Sequence, residues 1–528
     1  MRLIPMSAAC LLAATHWLGG HALAETPQRG GEFVYAVSQG DPSTLDCHAS
    51  STITTTLRIG PHYSTLLKID PANYPKVVGD VAKEWTISDD GLVYTFKLHP
   101  NIKFHDGSKL DSEDVKVSLD RLRAPPPGVF SARQSLYSDI ESVEAPDPET
   151  VVVRLSKPNA SMLEILAVPT GCIYSAELLR TDPDYPAKKV MGSGPFRFVS
   201  YTPGKEWVAE RFDDYFVEGK PYLDRVRSLT LTTPAMINAI ASGQVMTDFR
   251  GMTEADAQRI VEARGDGVKI YRTNGSHNLL LLVLPNLENP ALKDPRVRKA
   301  LAMALDHWGG SRLVARSTHS NYPGGLLRPG SEFARTPEEL SKLPGFSRDM
   351  KTAREQARAL LKEAGYEKGL TLRFLNRRPF PYVGVFLIDQ WRQIGVNVEH
   401  QQPEDPQFFA RRDAGDFDVM LNAFPDFSGD PTIQWGGFLS YPENKSNFGR
   451  FSDPKVDEYY ERQKREMDPA KRKQILQEAE AYILEQGYAM PFMWGNRVMV
   501  VDSRVQNYHV TPSNWVGLDF ADLWLKQN

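Results

Sequence analysis

Hydrophobic and polar residues alternate in two different ways along this chain. Up to residue 277, short alternating runs occur in pairs around clusters of turn residues, and such pairs predict antiparallel hairpins. The clusters lie at residues 89–91 (DDG), 146–149 (PDPE) and 203–205 (PGK), residue types that suit tight turns. From residue 278, strand-like apolar runs alternate with helical patterns, which indicates a second α/β unit with more parallel strands.

Five segments organise this prediction. Residues 31–38 (GEFVYAVS) form a strand, residues 52–69 a helix, residues 278–284 a buried strand and residues 417–424 a strand that opens the proposed site. Residues 490–501 form a last strand that returns to the first unit. The chain would then cross between the two units twice, which is the connection that hinge closure around a ligand requires.

The N-terminus has the pattern of a secretory signal. Arg2 precedes an apolar run at residues 6–18, and the small residues of 22–24 (ALA) follow it, which predicts cleavage after Ala24. No other apolar run approaches the roughly 18 residues that a membrane-spanning helix needs. We therefore expect a soluble protein exported to the periplasm.

Composition narrows the class of protein. The 528 residues carry a net charge of −4 and are 41% hydrophobic and 24% charged, the balance of a globular protein with two or three structural units. No basic block predicts binding to nucleic acid or to an anionic membrane. Cys47 and Cys172 remain after signal removal, and we interpret them as two free buried thiols, although a disulfide is compatible with an oxidising compartment.

The end of the strand at residues 417–424 carries the first candidate for ligand binding. The strand breaks into Pro425, Asp426 and Phe427, and ligands of open α/β sheets bind beyond the carboxyl ends of strands. Asp426 is therefore placed to meet a cationic group, with Phe427 as a wall of the pocket. Asp, Ser, Gly and Pro are also ordinary turn residues, so a purely structural turn is the alternative.

Motifs of enzymes and metal sites are missing from the sequence. It contains no HExxH, CxxC, P-loop, GxGxxG or GxSxG pattern, so we predict no catalytic residue, no cofactor and no metal ligand. Carboxylates are abundant, and a glycosidase pair cannot be dismissed by counting them. An exported hydrolase therefore stays as an alternative from another class.

Several ordered motifs closely resemble the signature of the family 5 extracellular solute-binding proteins of ABC importers, the dipeptide, oligopeptide and nickel group. They are residues 85–98 (WTISDDGLVYTFKL), 104–107 (FHDG), 112–115 (SEDV), 192–196 (GSGPF), 294–301 (DPRVRKAL) and 395–398 (GVNV), with the segment around Asp426. The resemblance covers essentially the whole mature chain.

The resemblance implies an α/β, two-lobed periplasmic-binding-protein fold of type II, with an accessory domain inserted in the first lobe. The expected parts are residues 1–24 (signal), 25–58 (first lobe), 59–189 (accessory domain), 190–283 (first lobe), 284–490 (second lobe) and 491–528 (closing segment of the first lobe).

The resemblance also assigns two charged ligand contacts. In peptide-binding members an Asp at the position of Asp426 receives the ligand ammonium group, and an Arg-Pro pair matching Arg378 and Pro379 holds the ligand carboxylate. A guanidinium fork suits a carboxylate, although two solvated surface arginines are the alternative at Arg377 and Arg378. The spacing from Asp426 to Asp430 is one residue longer than the usual Asp-x-x-Asp-Pro, which leaves the class of ligand open.

These features predict a monomeric periplasmic component of an ABC importer. It closes over a small peptide or peptide-like solute and delivers it to a membrane permease, using Asp426, Arg378 and Phe427 and the chain near Gln39, Asn274 and Ser276. A non-peptide ligand such as an opine, a sugar, a metal chelate or an aromatic acid is the alternative, as is a sensory role.

Overall fold

A computed structural model describes residues 26–527 except residues 39, 43, 51, 274–278, 315–319, 426–427 and 443, and for residues 311–313, 320, 321, 405, 406 and 425 it describes the backbone alone. In this part of the chain, no helix combines the length and the apolar character that crossing a membrane requires.

The first lobe is built on a five-stranded mixed sheet. Glu32–Val37 lies between two parallel neighbours, and the remaining strands pair antiparallel. Its side chains alternate: Phe33 and Tyr35 pack against the C-terminal segment, and Val34 and Ala36 pack against helices. In sheet order the strands are Thr247–Asp248, Glu32–Val37, Arg225–Thr230, Glu206–Arg211 and Phe196–Thr202, and the helices are Thr233–Ala241 and Glu254–Arg264.

The inserted unit is a four-stranded antiparallel sheet. Both predicted hairpins are present, turning at Asp89-Asp90-Gly91 and after Asp147. Asp111 caps the long helix of this unit in a capping box with Asp114, an arrangement typical of a helix that begins with a run of acids. The strands are Ala82–Ile87, Val93–Leu98, Thr150–Leu155 and Ile140–Asp147, and the helices are Ser112–Arg123, Met162–Leu166, Ala176–Thr181 and Tyr185–Lys188.

The second lobe is built on a six-stranded mixed sheet with helices on both faces. Its central strands are buried on both sides, which explains the nearly continuous apolar run of Leu279–Pro285. In sheet order the strands are Ser320–Tyr322, Met490–Gly495, Leu279–Pro285, Val419–Pro425, Leu370–Leu375 and Val396–Gln401. The helices are Pro290–Lys293, Pro295–Met303, His307–Val314, Pro337–Leu340, Met350–Glu363, Pro381–Arg392, Asp405–Ala414, Pro431–Trp435, Pro454–Arg465 and Pro469–Gln486.

The last predicted strand is divided in two. Met490–Gly495 belongs to the second sheet, whereas Val498–Asp502 pairs antiparallel with Val268–Arg272 beside the first lobe. The chain therefore changes lobe between the strands Val268–Arg272 and Leu279–Pro285, and again between the strands Met490–Gly495 and Val498–Asp502. The boundaries drawn from the sequence after residues 283 and 490 fall inside two strands of the second sheet, and we propose these two crossings as the boundaries instead.

The helix predicted for residues 52–69 is wrong in its second half. The helix Ile53–Ile59 gives way to a 3-10 turn at Gly60–His62, and Leu67–Ile69 is a strand paired with Val77–Gly79. Pro61 has no backbone N–H to continue an α-helix, so the helix ends before it.

The interpretation of Cys47 and Cys172 as free thiols is also wrong. The two residues are buried and joined by a disulfide across a sequence separation of 125 residues, with their Cα atoms 6.4 Å apart. That separation lies in the range that a disulfide spans. The bond ties the segment after the first strand to the inserted unit.

Candidate functional site

The carboxyl ends of the central strands of both lobes face the same hinge. In the second lobe, Leu370–Leu375 and Val419–Pro425 run parallel, and Leu279 aligns with both Pro425 and Gly495. The two parallel strands therefore end at the same edge of the sheet at which the chain enters the lobe, before Leu279, and leaves it, after Gly495.

The first lobe presents the corresponding edge. Thr247–Asp248 is parallel to Glu32–Val37, with Ala36 opposite Asp248. Met252, in the segment that follows Asp248, donates its N–H to Val498 O at 2.9 Å. Val498 begins the strand Val498–Asp502, which follows the second crossing, so this bond joins the two segments. A cleft between two such edges is where ligands of α/β proteins bind.

Arg497 holds the two crossings together. Its backbone N–H donates to Thr273 Oγ1 at 2.9 Å, and Thr273 N–H donates back to Arg497 O at 3.2 Å. Its guanidinium donates to Phe249 O at 2.7 Å and to Thr511 O at 3.0 Å. Burial lowers the pKa of Arg497 from its ordinary value, and the carbonyl oxygens stabilise the charge that remains. Sequence reasoning missed this residue because its partners are distant along the chain.

Five of the six predicted ligand contacts lie outside the described residues: Asp426, Phe427, Gln39, Asn274 and Ser276. Described residues flank each of them at the hinge-facing edges: Pro425 ends a strand of the second sheet, Ser38 follows a strand of the first, and Thr273 opens a crossing.

Arg378 follows the strand Leu370–Leu375, as predicted. Its side chain is 59% exposed and forms an ion pair with Glu404, a residue that precedes the helix Asp405–Ala414. Exposed pairs of this kind contribute about 0–1 kcal/mol, so a solute carboxylate could replace Glu404 at little cost. The neighbouring Arg377 lies over the ring of Phe409, 5.1 Å from its centroid.

A buried ionic network is centred on Asp430, four residues after Asp426 in the sequence. Asp430 caps the helix Pro431–Trp435 by accepting from Thr432 N–H at 2.8 Å, and its Oδ2 pairs with Arg472 Nη1 at 2.7 Å. Ser161 Oγ donates to Asp430 Oδ1 at 2.9 Å, and Arg472 Nη2 donates to Ser161 Oγ at 2.9 Å. Burial by itself would raise the pKa of Asp430, but the charge and hydrogen bonds of Arg472 reverse the effect and hold it below its ordinary value. The network fixes Asp430 and the start of the helix Pro431–Trp435.

The same surface joins the inserted unit to the second lobe. Ser161 belongs to the inserted unit, and so does Asp139, whose Oδ2 pairs with the buried Lys464 Nζ at 2.7 Å. Ala160 N–H donates to Lys464 O at 2.7 Å. The inserted unit is therefore connected to the first lobe through the chain and bound to the second lobe by charged and backbone contacts.

Glu164 makes this surface sensitive to pH. Burial, and then the charge of Asp430, raises the pKa of Glu164 to about 7, although Arg472 lowers it in part. An acid whose folded pKa is raised contributes stability that is complete below its ordinary pKa and is lost as the pH rises through the folded value.

We expect Glu164→Gln to raise the melting temperature more at about pH 8 than at about pH 5, because a neutral amide avoids the ionised state that folding disfavours. Scanning fluorimetry across this range measures the difference. Glu149→Gln, in the exposed turn of the second hairpin, is the control, and parallel pH profiles for Glu164→Gln and the unmodified protein would contradict the assignment.

Two aromatic residues close in sequence to Asp426 pack in the core. Trp435 is buried and Phe424 partly buried, and both lie against Phe438, with ring centroids 6.5 Å and 5.6 Å from it. This is the commoner use of aromatic side chains near a sheet.

A cavity lies on the first-lobe side of the hinge. Its volume is about 310 Å³, and Asp248 and Arg497 line it together with the C-terminal residues 507–523 and part of the inserted unit. The described residues contain no group of three His, Cys, Asp or Glu side chains that could hold a metal ion.

Comparison with known proteins adds the family. Residues 76–446 match the profile of the bacterial extracellular solute-binding proteins, family 5 Middle. The di/tripeptide-binding protein 2 of Pseudomonas aeruginosa is 26% identical over 492 residues, which cover 86% of this chain and 87% of the relative.

Solved structures show the same two-lobed fold. The periplasmic binding protein DppA from Helicobacter pylori in complex with the peptide STSA has a TM-score of 0.80 at 21% identity, covering 95% of this chain and 99% of its own. The binding protein AgaA from A. tumefaciens R10 in complex with agropinic acid has a TM-score of 0.79 at 24% identity, covering 94% and 99%. The fold class predicted from the sequence is therefore confirmed.

Proposed function

Because the chain belongs to the family 5 bacterial extracellular solute-binding proteins, we propose that it captures a short peptide between its two lobes and delivers it to the permease of an ABC importer. The observation that carries this proposal is that the two sheets present strand edges to one hinge. Among the described strands, the chain passes from one sheet system to the other twice, after Val268–Arg272 and after Met490–Gly495. Such a geometry permits closure by rotation about two short connections.

The peptide assignment is supported by the relatives. A protein named for di- and tripeptides aligns with almost the entire chain, and a structure of the same fold holds a four-residue peptide. In this proposal Asp426 receives the α-ammonium group and Arg378 the carboxylate, after leaving Glu404. Phe427 and the chain near Gln39, Asn274 and Ser276 contact the part between these two charges.

A non-peptide solute is the second candidate. The structural relative that holds agropinic acid and the lengthened spacing between Asp426 and Asp430 favour it. Both candidates use the same cleft, and they differ in the chemistry that the cleft selects.

The proposal includes export and the absence of catalysis. Residues 1–24 direct the chain out of the cytoplasm and are removed after Ala24, and the mature protein binds its solute without making or breaking a bond. Arg497 and Asp430 are both engaged with protein groups, and neither is placed as part of a nucleophile and base pair.

Native mass spectrometry of the full mature chain, purified without refolding, tests the proposal. We expect an added mass, or a small set of masses, that fragments into amino acids. The same protein after denaturation and refolding in peptide-free buffer is the control and should show the ligand-free mass. An added mass that contains no amino acid would support the second candidate, and conversion of an added peptide into fragments would contradict a binding role.

A further inference from the structure

The cavity on the first-lobe side of the hinge contains unsatisfied hydrogen-bonding groups. Asp248 is 2% exposed and Arg497 is 6% exposed. Asp248 Oδ1, Arg497 Nε and the buried Oδ1 of Asn514 have no hydrogen-bond partner among the described residues, and all three residues line the cavity of about 310 Å³. A buried polar atom without a partner destabilises the protein, which marks this part of the cavity as a place where a polar group of a ligand would be favoured.

The three residues are linked through the guanidinium of Arg497, and all three line the same cavity. Arg497 donates through Nη2 to Phe249 O, next to Asp248, and through Nη1 to Ser513 O at 3.5 Å, next to Asn514. The guanidinium of Arg497 therefore holds the two backbone segments that carry the acceptor oxygens.

The other oxygen of Asp248 is already used. Its Oδ2 accepts from the backbone N–H groups of Arg250 and Gly251, at 2.9 Å and 2.5 Å. These bonds fix the carboxylate, and within the described part of the chain they leave Oδ1 without a partner.

Other charges that line the same cavity are satisfied internally. Lys68 Nζ lies 2.7 Å from Asp519 Oδ2 and 3.6 Å from Asp80 Oδ1. Asp70 accepts from Ala72 N–H at 2.9 Å and from the Asn73 amide at 2.7 Å. Among the described residues that line the cavity, the buried polar side-chain atoms without a hydrogen-bond partner therefore belong to Asp248, Arg497 and Asn514.

The unpaired set consists of two acceptors and one N–H donor, and few ligand groups match it. A carboxylate offers no donor to the two oxygens, and an ammonium offers no acceptor and would lie beside the Arg497 charge. An aliphatic group would leave all three atoms unpaired. A primary carboxamide offers two N–H donors and one carbonyl acceptor, which is the complement of the set.

Burial raises the pKa of Asp248 although Gly251 and Arg497 act to lower it. An environment that disfavours the charged carboxylate also gives a cationic ligand less attraction.

We propose that this cavity is a specificity subsite for the side-chain carboxamide of the bound solute, held by Asp248 Oδ1, Asn514 Oδ1 and Arg497 Nε. The proposal rests on the peptide-binding function above, and it names the substrate class as peptides that contain glutamine or asparagine.

Calorimetric titration of the ligand-free full chain with defined peptides tests the subsite. The probes are Ala-Gln and Ala-Gln-Ala, each compared with its Glu and Leu counterparts. We expect the Gln peptides to bind at least about tenfold more tightly, since the Leu and Glu peptides leave buried groups unpaired.

Asp248→Asn separates recognition from folding. The new side chain can keep its oxygen on the Arg250 and Gly251 N–H groups and present its NH₂ group to the cavity, so the preference should move from the Gln peptides toward the Glu peptides. Asp70→Asn, at a satisfied position in the same cavity, should leave the preference unchanged.

The outcomes are distinct. Peptide binding with no preference for Gln, or a Gln preference that Asp248→Asn leaves intact, overturns the subsite and leaves the peptide-binding function standing. Failure of every peptide to bind to a protein that carries a ligand of another class overturns both.

Discussion

Asp426→Ala is expected to weaken solute binding by at least about thirtyfold while the protein stays folded. Removal of one member of a desolvated charge pair costs about 2–5 kcal/mol, because the other charge is left buried and unpaired. In the closed cleft, the solute ammonium group would be that charge. Titration of ligand-free protein with the solute identified by mass spectrometry measures the loss.

Two controls distinguish a contact from a change in folding. Asp413→Ala removes an exposed acid of the same lobe, whose partner is the neighbouring Arg412, and it should change neither affinity nor melting temperature. Asp426→Asn keeps the shape and removes the charge, so it should reproduce most of the loss. Unchanged affinity in Asp426→Ala would remove this residue from the site and support the purely structural turn.

The second large effect is expected at the buried network of Asp430 and Arg472. Arg472→Met should lower the free energy of unfolding by about 3–5 kcal/mol, because it leaves the Asp430 carboxylate buried without its cation. Ser161 and Asp430 both lose a bond to the guanidinium, so the contact between the inserted unit and the second lobe should loosen as well. Urea unfolding monitored by tryptophan fluorescence measures the change.

Arg462→Met is the matched control for Arg472→Met. Arg462 lies on the neighbouring helix Pro454–Arg465 and is 47% exposed, with its Nη1 3.7 Å from Glu458, and such pairs contribute little. Adding Asp430→Asn to Arg472→Met should recover part of the loss, since a neutral amide does not need the cation. A loss below about 1 kcal/mol in Arg472→Met would show that the buried pair is not a major source of stability.

Local patterns predicted much of the fold. The hairpin at residues 89–91 and the helix capped by Asp111 are encoded by neighbouring residues, and both are present. The helix predicted for residues 52–69 failed because apolar spacing was given more weight than Pro61. Division of the segment 490–501 into two strands was missed because both halves are equally apolar, and only the pairing partners tell them apart.

The contacts that hold the site together could not be predicted in the same way. The bond from Ser161 to Asp430 spans 269 positions, and the bond from Arg497 to Phe249 spans 248. Nothing in the local sequence of these residues distinguishes them from surface charges or helix caps. The disulfide between Cys47 and Cys172 could not be predicted for the same reason: the two residues are 125 positions apart, and only the folded chain brings them together.

These contacts also suggest which parts move together. The inserted unit is bound to the second lobe through Asp139, Ser161 and their partners Lys464 and Arg472, while the Cys47–Cys172 disulfide ties it to the first lobe. Closure of the cleft would therefore have to shift these bridging contacts as well as the backbone at the two crossings, where Arg497 is the shared contact.

Small-angle X-ray scattering of the same preparation, with and without its solute, tests the closure of two lobes most directly. Saturation with the solute should reduce the radius of gyration and the maximum dimension, and Asp426→Ala under the same conditions should keep the ligand-free values. Scattering profiles that superimpose with and without bound solute would contradict closure about the hinge.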